Sequence, residues 1–84
     1  MKVTLKLYAT LSDYLPDAAR KSNALELDLP EGTTPAQIIE NQNLPVKLCH
    51  LVLIDGIFVP PALRARRALA EGETLAIWPP IAGG

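Results

Sequence analysis

Gly83 and Gly84 close the chain, and their lack of side chains is itself a chemical property. A diglycine end has no φ restriction and no bulk beside its carboxylate. It can thread a narrow enzyme channel and present a terminal carboxyl group to a reagent at the bottom. Behind it stand Pro79 and Pro80, which are stiff, lack N–H donors and stop a strand from continuing. The expected organisation is a packed domain over residues 1–80, a rigid exit, and a flexible tail over 81–84 that carries the reactive end. With glycine at about 7% of residues, two terminal glycines arise by chance in only about 0.5% of chains.

The other residues with chemical potential do not assemble a catalyst. Cys49-His50 pairs a nucleophile type with a base type, but neighbours on an extended segment point to opposite faces. No third group orients His50, and with one cysteine and one histidine in the chain a metal site of those ligands cannot be built. The reading is a small buried cysteine beside a surface histidine. Glu71 and Glu73 flank Gly72 and read as solvation of a turn. Apart from the terminal pair the glycines are single, so there is no phosphate-binding loop. The domain brings no catalytic apparatus of its own, so it is not expected to be an enzyme, and no bound cofactor and no metal are expected.

Bulk properties narrow the partners. At 84 residues the chain can build one modest core but no cleft between lobes. Its 49% hydrophobic and 20% charged residues fit a globular domain and not a disordered tail. A net charge of −1 gives no drive toward nucleic acid. The lone cysteine asks for no oxidising compartment. Met1 to Leu7 interleaves lysines with apolar residues and lacks a signal-peptide block, and no apolar run is long enough to span a bilayer. A cytoplasmic protein without membrane partners is expected.

The elements that must position the tail are legible from periodicity. Val3, Leu5 and Leu7 alternate with Lys2, Thr4, Lys6 and Tyr8, which predicts a half-buried strand. Leu11 and Leu15, four apart, predict a helical turn that Pro16 ends, and the polar stretch from Asp17 to Asn23 reads as a loop. Leu25, Leu27 and Leu29 predict a second strand, antiparallel to the first. Thr34, Pro35 and Gln37 form a helix-start signature, and the main helix should run from Pro35 to about Gln42, ended by Asn43 and Pro45. Leu51 to Ile54 reads as a short buried strand, turned at Asp55-Gly56 into Ile57–Val59. Pro60-Pro61 breaks it. Ala62 to Leu69 reads as an irregular or briefly helical connection. In it Arg64, Arg66 and Arg67 are either a solvated cluster or a match for an acidic patch on a partner. The last strand is Thr74 to Trp78, with Leu75 and Ile77 inward.

The order β-β-α-β-β-β gives an α+β fold in which one main helix covers one face of a small mixed sheet. If the first and last strands lie side by side in its middle, Tyr8 and Trp78 share the uncovered face near the tail. They are two of only four aromatic residues, and such a pair suggests a docking surface. The alternative is that each ring packs on loops of its own domain.

The element order, the Asp55-Gly56 turn, the Leu69-x-Glu71-Gly72-Glu73-x-Leu75 approach and the Pro-Pro-Ile-Ala-Gly-Gly end resemble the MoaD/ThiS family of ubiquitin-like sulfur carriers, on its MoaD side. Leu7-Tyr8-Ala9-Thr10-Leu11 is similar to that family's first strand and turn. The resemblance implies a ubiquitin-like β-grasp fold and a carrier cycle. An adenylating enzyme of the ubiquitin-activating (MoeB/ThiF-like) type would use ATP-Mg to adenylate the Gly84 carboxylate. A sulfur donor such as a persulfide would then displace AMP and leave a thiocarboxylate. In a MoaD-like role a MoaE-like large subunit would take the sulfur for molybdopterin. The resemblance places Gly83 and Gly84 at the reactive end, and Tyr8, Trp78, Pro79, Pro80 and Ile81 at the partner-binding surface. Pro60-Pro61 and the arginine cluster depart from the family pattern. Thiamine-type and cysteine-synthesis-type carriers, a conjugating protein modifier, and an interaction module with an inert tail stay open at this point.

Overall fold

In the computed structural model, which describes residues 1–80, strand β1 spans Lys2–Leu7 and holds the centre of the domain. Its inward residues Val3, Leu5 and Leu7 are essentially inaccessible, as a two-residue period with one covered face requires. The other strands are β2 (Ala24–Asp28), β3 (Leu51–Ile54), β4 (Ile57–Phe58) and β5 (Thr74–Trp78). They form one mixed sheet in the order β2-β1-β5-β3-β4. β1 runs antiparallel to β2 and parallel to β5, while β3 is antiparallel to both β5 and β4. The first and last strands therefore lie side by side in the interior of the sheet, which is the condition for Tyr8 and Trp78 to share a face.

Helix α2 (Pro35–Asn41) lies over the inner face and contributes Ile38 and Ile39 to the core with Leu5, Leu7, Val52, Ile54, Leu75 and Ile77. Its predicted start is realised as a full capping box. The Gln37 N–H donates to Thr34 Oγ1 at 3.3 Å, and the Thr34 N–H donates to Gln37 Oε1 at 2.9 Å. Past the helix end Asn43 sits at φ 57°, the left-handed stop expected of Asn. Asp55 and Gly56 both take positive φ, 48° and 82°, which makes the two-residue hairpin between β3 and β4 a type I′ turn.

Two local expectations change. The polar stretch after Pro16 is not all loop, because Asp17–Arg20 forms a one-turn helix, α1. Arg20 holds it, pairing with Asp17 at 3.1 Å and donating to the carbonyls of Leu15 and Asp13 at 3.3 and 3.0 Å. The strand Leu51–Ile54 is not buried on both sides, since Val52 and Ile54 face the core while Leu51 is exposed. The turn predicted after β1 is a 3₁₀ helix, Ala9–Tyr14, carrying the buried Leu11, with Leu15 buried just beyond it.

Candidate functional site

The register between β1 and β5 builds the site. Leu7 lies opposite Ile77 across the parallel pair, and both are buried in the core. The next residue on each strand must point the other way, so Tyr8 and Trp78 emerge together on the outer face. The Tyr8 N–H donates to the Ile77 carbonyl at 3.2 Å, which fixes the pair. Ala9 then takes φ 52°, turning the chain away from the sheet directly after Tyr8.

The rings stack, with centroids 4.1 Å apart and planes 4° from parallel. Aromatic planes in contact lie about 3.5 Å apart, so a 4.1 Å centroid distance leaves roughly 2 Å of lateral slip. That is the offset arrangement that ring quadrupoles favour. Both rings are half-buried. Each ring is therefore covered in part by the other.

The outer face extends beyond the aromatic pair. Leu51 lies opposite Trp78, and a second row runs from Lys6 through Ala76 and Leu53 to Phe58. Leu51 and Phe58 are 36% and 50% exposed, so the apolar surface continues from the central strands to the β4 edge. Sequence reasoning missed this extension. Its signal was the alternation through Leu51, Leu53 and Phe58, hidden inside a run that was apolar on both faces.

The exit from this face is abrupt. The His50 N–H donates to the Trp78 carbonyl at 3.1 Å, the last ladder bond along β5. Pro79 and Pro80 have no N–H to continue it; Pro79 is half-buried and Pro80 exposed. Ile81, Gly83 and Gly84, with the tail 81–84 as a whole, lie outside the described residues.

The arginine cluster proves to be three residues with separate situations. Arg64 is an internal clamp: it donates to the carbonyls of Cys49, His50 and Val59 at 2.8, 3.0 and 3.3 Å. Its own carbonyl accepts from the Ala36 N–H at 2.8 Å, tying the connection to the first turn of α2. Arg67 grips Glu73 through two bonds of 3.0 and 2.7 Å. Only Arg66 is exposed with no charged partner among the described residues. For two of the three, then, the solvated reading is replaced by a structural one.

The paired glutamates are also more than turn solvation. Glu71 accepts from the Lys2 N–H at 3.1 and 3.2 Å, closing the start of β1. Glu73 accepts from the Ala70 N–H at 2.6 Å as well as from Arg67, and the Arg67 hydrogen bonds hold its carboxyl below the usual range. Cys49 and His50 behave as predicted, one 3% exposed and the other on the surface. Burial pushes the Cys49 thiol up, against a smaller downward pull from Arg64, which makes it a poor nucleophile. No group of His, Cys, Asp or Glu among the described residues could hold a metal ion, and no helix there is long and apolar enough to cross a membrane. A groove of about 430 Å³ behind β4 is lined by Ile57, Phe58, Leu63 and the side chains of Arg66 and Arg67, and gathers no acid or nucleophile.

Comparison with solved structures places this architecture among known folds. SAMP1 from Haloferax volcanii superposes with a TM-score of 0.70 at 20% identity, over all of both chains. The Haloferax volcanii HVO 2177 protein gives 0.74 at 20% identity, over all of this chain and 87% of the other. A chain from the complex of subunits 1 and 2 of the molybdopterin-converting factor of Helicobacter pylori 26695 gives 0.61 at 14% identity, over all of both chains. At these identities the likeness establishes the fold, a ubiquitin-like β-grasp. Comparison with curated proteins finds no match. The family profile described as the ThiS family matches residues 7–84, from the end of β1 to the terminal glycine. The MoaD/ThiS resemblance is thereby borne out, and the chain belongs to the ThiS family of small ubiquitin-like carrier proteins.

Proposed function

We propose that this protein is a sulfur carrier whose working group is the Gly84 carboxyl. The observation that carries the reading is the family match running through Gly83 and Gly84 to the last residue. A carboxylate is a poor electrophile because its leaving group would be oxide. An adenylating partner overcomes this when a Gly84 oxygen attacks the α-phosphorus of ATP-Mg and pyrophosphate leaves. The terminal sulfur of a donor persulfide then attacks the acyl carbon and AMP departs. A thiol attacks the resulting acyl disulfide at the donor-side sulfur, and the electron pair of the S–S bond stays on Gly84 as a thiocarboxylate. Gly83 and Gly84 suit the step because neither hinders approach to the carbonyl. Within this function the sulfur goes to a pterin precursor on a MoaE-like large subunit. The broad apolar face that ends at Trp78 supports that choice, since two successive sulfur transfers favour a long-lived complex.

The test incubates the chain with its adenylating enzyme, ATP-Mg and a persulfide donor, then weighs it intact. One oxygen replaced by sulfur, mapped by fragmentation to Gly84, supports the carrier. An isopeptide bond from Gly84 to a lysine makes the protein a conjugating modifier instead. No change, or sulfur on Cys49, refutes the proposal. Removing Gly84 or adding one residue after it should abolish ATP–pyrophosphate exchange with the fold intact. Reconstitution with the large subunit tests the pathway: delivery to a thiazole or cysteine synthase in its place moves the pathway and keeps the carrier.

A further inference from the structure

Two lysines of β1 stand on the outer sheet face in opposite circumstances. Lys2, at the opposite end of β1 from Tyr8 and Trp78, is exposed and lies 3.5 Å from Glu26. Lys6 is half-buried at the centre of the face, flanked across the ladder by Ala24 on β2 and Ala76 on β5. Its ammonium has no hydrogen bond and no carboxylate within ion-pair distance among the described residues. Glu26, the nearest acid on the neighbouring strand by register, is already committed to Lys2. The row beyond Lys6 holds the Tyr8–Trp78 stack, and the row of Lys6 itself runs on through Ala76 and Leu53 to Phe58. Lys6 is therefore a single unpaired cation set into the margin of an apolar docking surface.

Such a group is tolerable while water reaches it and costly once a partner covers it, because a desolvated ammonium needs a counter-charge. We infer that the adenylating partner presents a carboxylate to Lys6, making the contact apolar at Tyr8–Trp78 and ion-paired one row further in. This rests on the function proposed above, and the adenylating enzyme is the partner that both the carrier and the modifier require. Reach supports it. Gly84 follows Trp78 by six residues, which span at most about 20 Å when fully extended. An enzyme that encloses the Gly84 carboxylate in a channel is therefore held within about 20 Å of Trp78. The pairing then acts as a filter, since an apolar surface without an acid strands the ammonium and one with a lysine repels it.

The test measures ATP–pyrophosphate exchange by the adenylating enzyme as a function of the concentration of this chain. Lys6→Glu should raise KM by about tenfold or more and leave kcat nearly unchanged, Lys6→Gln should raise it less, and Lys6→Arg should restore it. KM of the unaltered chain should climb with salt, and that slope should flatten in Lys6→Gln. Lys21→Gln, at an exposed lysine off the sheet, serves as the control, with KM unchanged. If Lys6→Glu fails to fold by circular dichroism, Lys6→Gln and the salt slopes decide. An unchanged KM and salt slope for Lys6→Gln overturns the pairing, while the exchange itself still upholds adenylation of Gly84, the step that carrier and modifier share. No exchange with the unaltered chain overturns both.

Discussion

The stacked rings make a quantitative prediction that separates their structural from their docking role. Burying a tryptophan fully is worth about 3–5 kcal/mol against alanine, and Trp78 is half-buried. Trp78→Ala should then cost about half that, roughly 1.5–2.5 kcal/mol, and Tyr8→Ala somewhat less. In a domain of this size each kcal/mol moves the melting temperature by about 4–8 °C, so Trp78→Ala should melt about 6–20 °C lower. The offset stack adds about 0.5–1.5 kcal/mol beyond burial, and either single change removes it entirely. The double variant should therefore be less destabilised than the sum of the singles by about 1 kcal/mol. Urea denaturation of the four proteins gives this coupling. Trp78 is the only tryptophan, so its emission also reports docking directly when the adenylating enzyme is titrated with its own signal subtracted. Below the melting range, both single variants should raise KM for exchange at least tenfold, as centrally buried aromatic contacts do. Strict additivity of the stabilities would refute the stack, and an unchanged KM would refute docking on this face.

Arg64→Ala should destabilise the domain by about 2–3 kcal/mol, since it strips charge-assisted bonds from three carbonyls; Arg64→Lys should recover little, lacking the planar fork. A urea midpoint within experimental error of the unaltered protein would count against the clamp. Glu73 supplies a pH signature: its carboxyl is held low in the fold by Arg67, so its contribution is full above the ordinary carboxylate range and fades as pH falls through the lowered folded value. With the pair partly solvent-exposed that contribution should be about 1 kcal/mol. Stability of Glu73→Gln should thus converge on that of the unaltered protein at low pH, and a constant gap down to acid unfolding would contradict the assignment.

What the sequence reveals here is whatever depends on neighbours along the chain. The Val3-Leu5-Leu7 alternation, the Thr34–Gln37 capping box and the Asp55-Gly56 hairpin are each set within a few residues, and each forms as read. What it hides depends on partners brought together by the fold. Arg64 meets carbonyls fourteen and fifteen positions away, contacts with no residue-type signature because any residue offers a carbonyl. Arg67 reaches Glu73 only because the chain turns at Gly72, φ 83°, between them and the sheet. Helix α1 escaped notice because its sole buried side chain is Ala19, too small to mark a period. The aromatic pair was legible despite a separation of seventy positions, since two strand ends with matched polarity needed only a parallel register. The apolar extension toward Phe58 was not, because a four-residue apolar run does not say whether one face or two are covered.

The same physics accounts for the stack in the free protein. An apolar face kept ready for a partner invites unwanted association while it waits. Stacking Tyr8 on Trp78 lets each ring shield part of the other, and it fixes both side chains before docking rather than during it. The edge is blunted too: β4 is only two residues long, and the Pro60-Pro61 pair that follows offers no further N–H for a pairing strand. With docking on the outer face as proposed, these arrangements leave it to side-chain shape and charge instead of to strand addition at the β4 edge. That suits the proposed carrier, which must leave the adenylating enzyme before it delivers sulfur, because strand addition would tie its backbone to that enzyme, whereas an aromatic patch beside one unpaired lysine can be matched, filtered and let go.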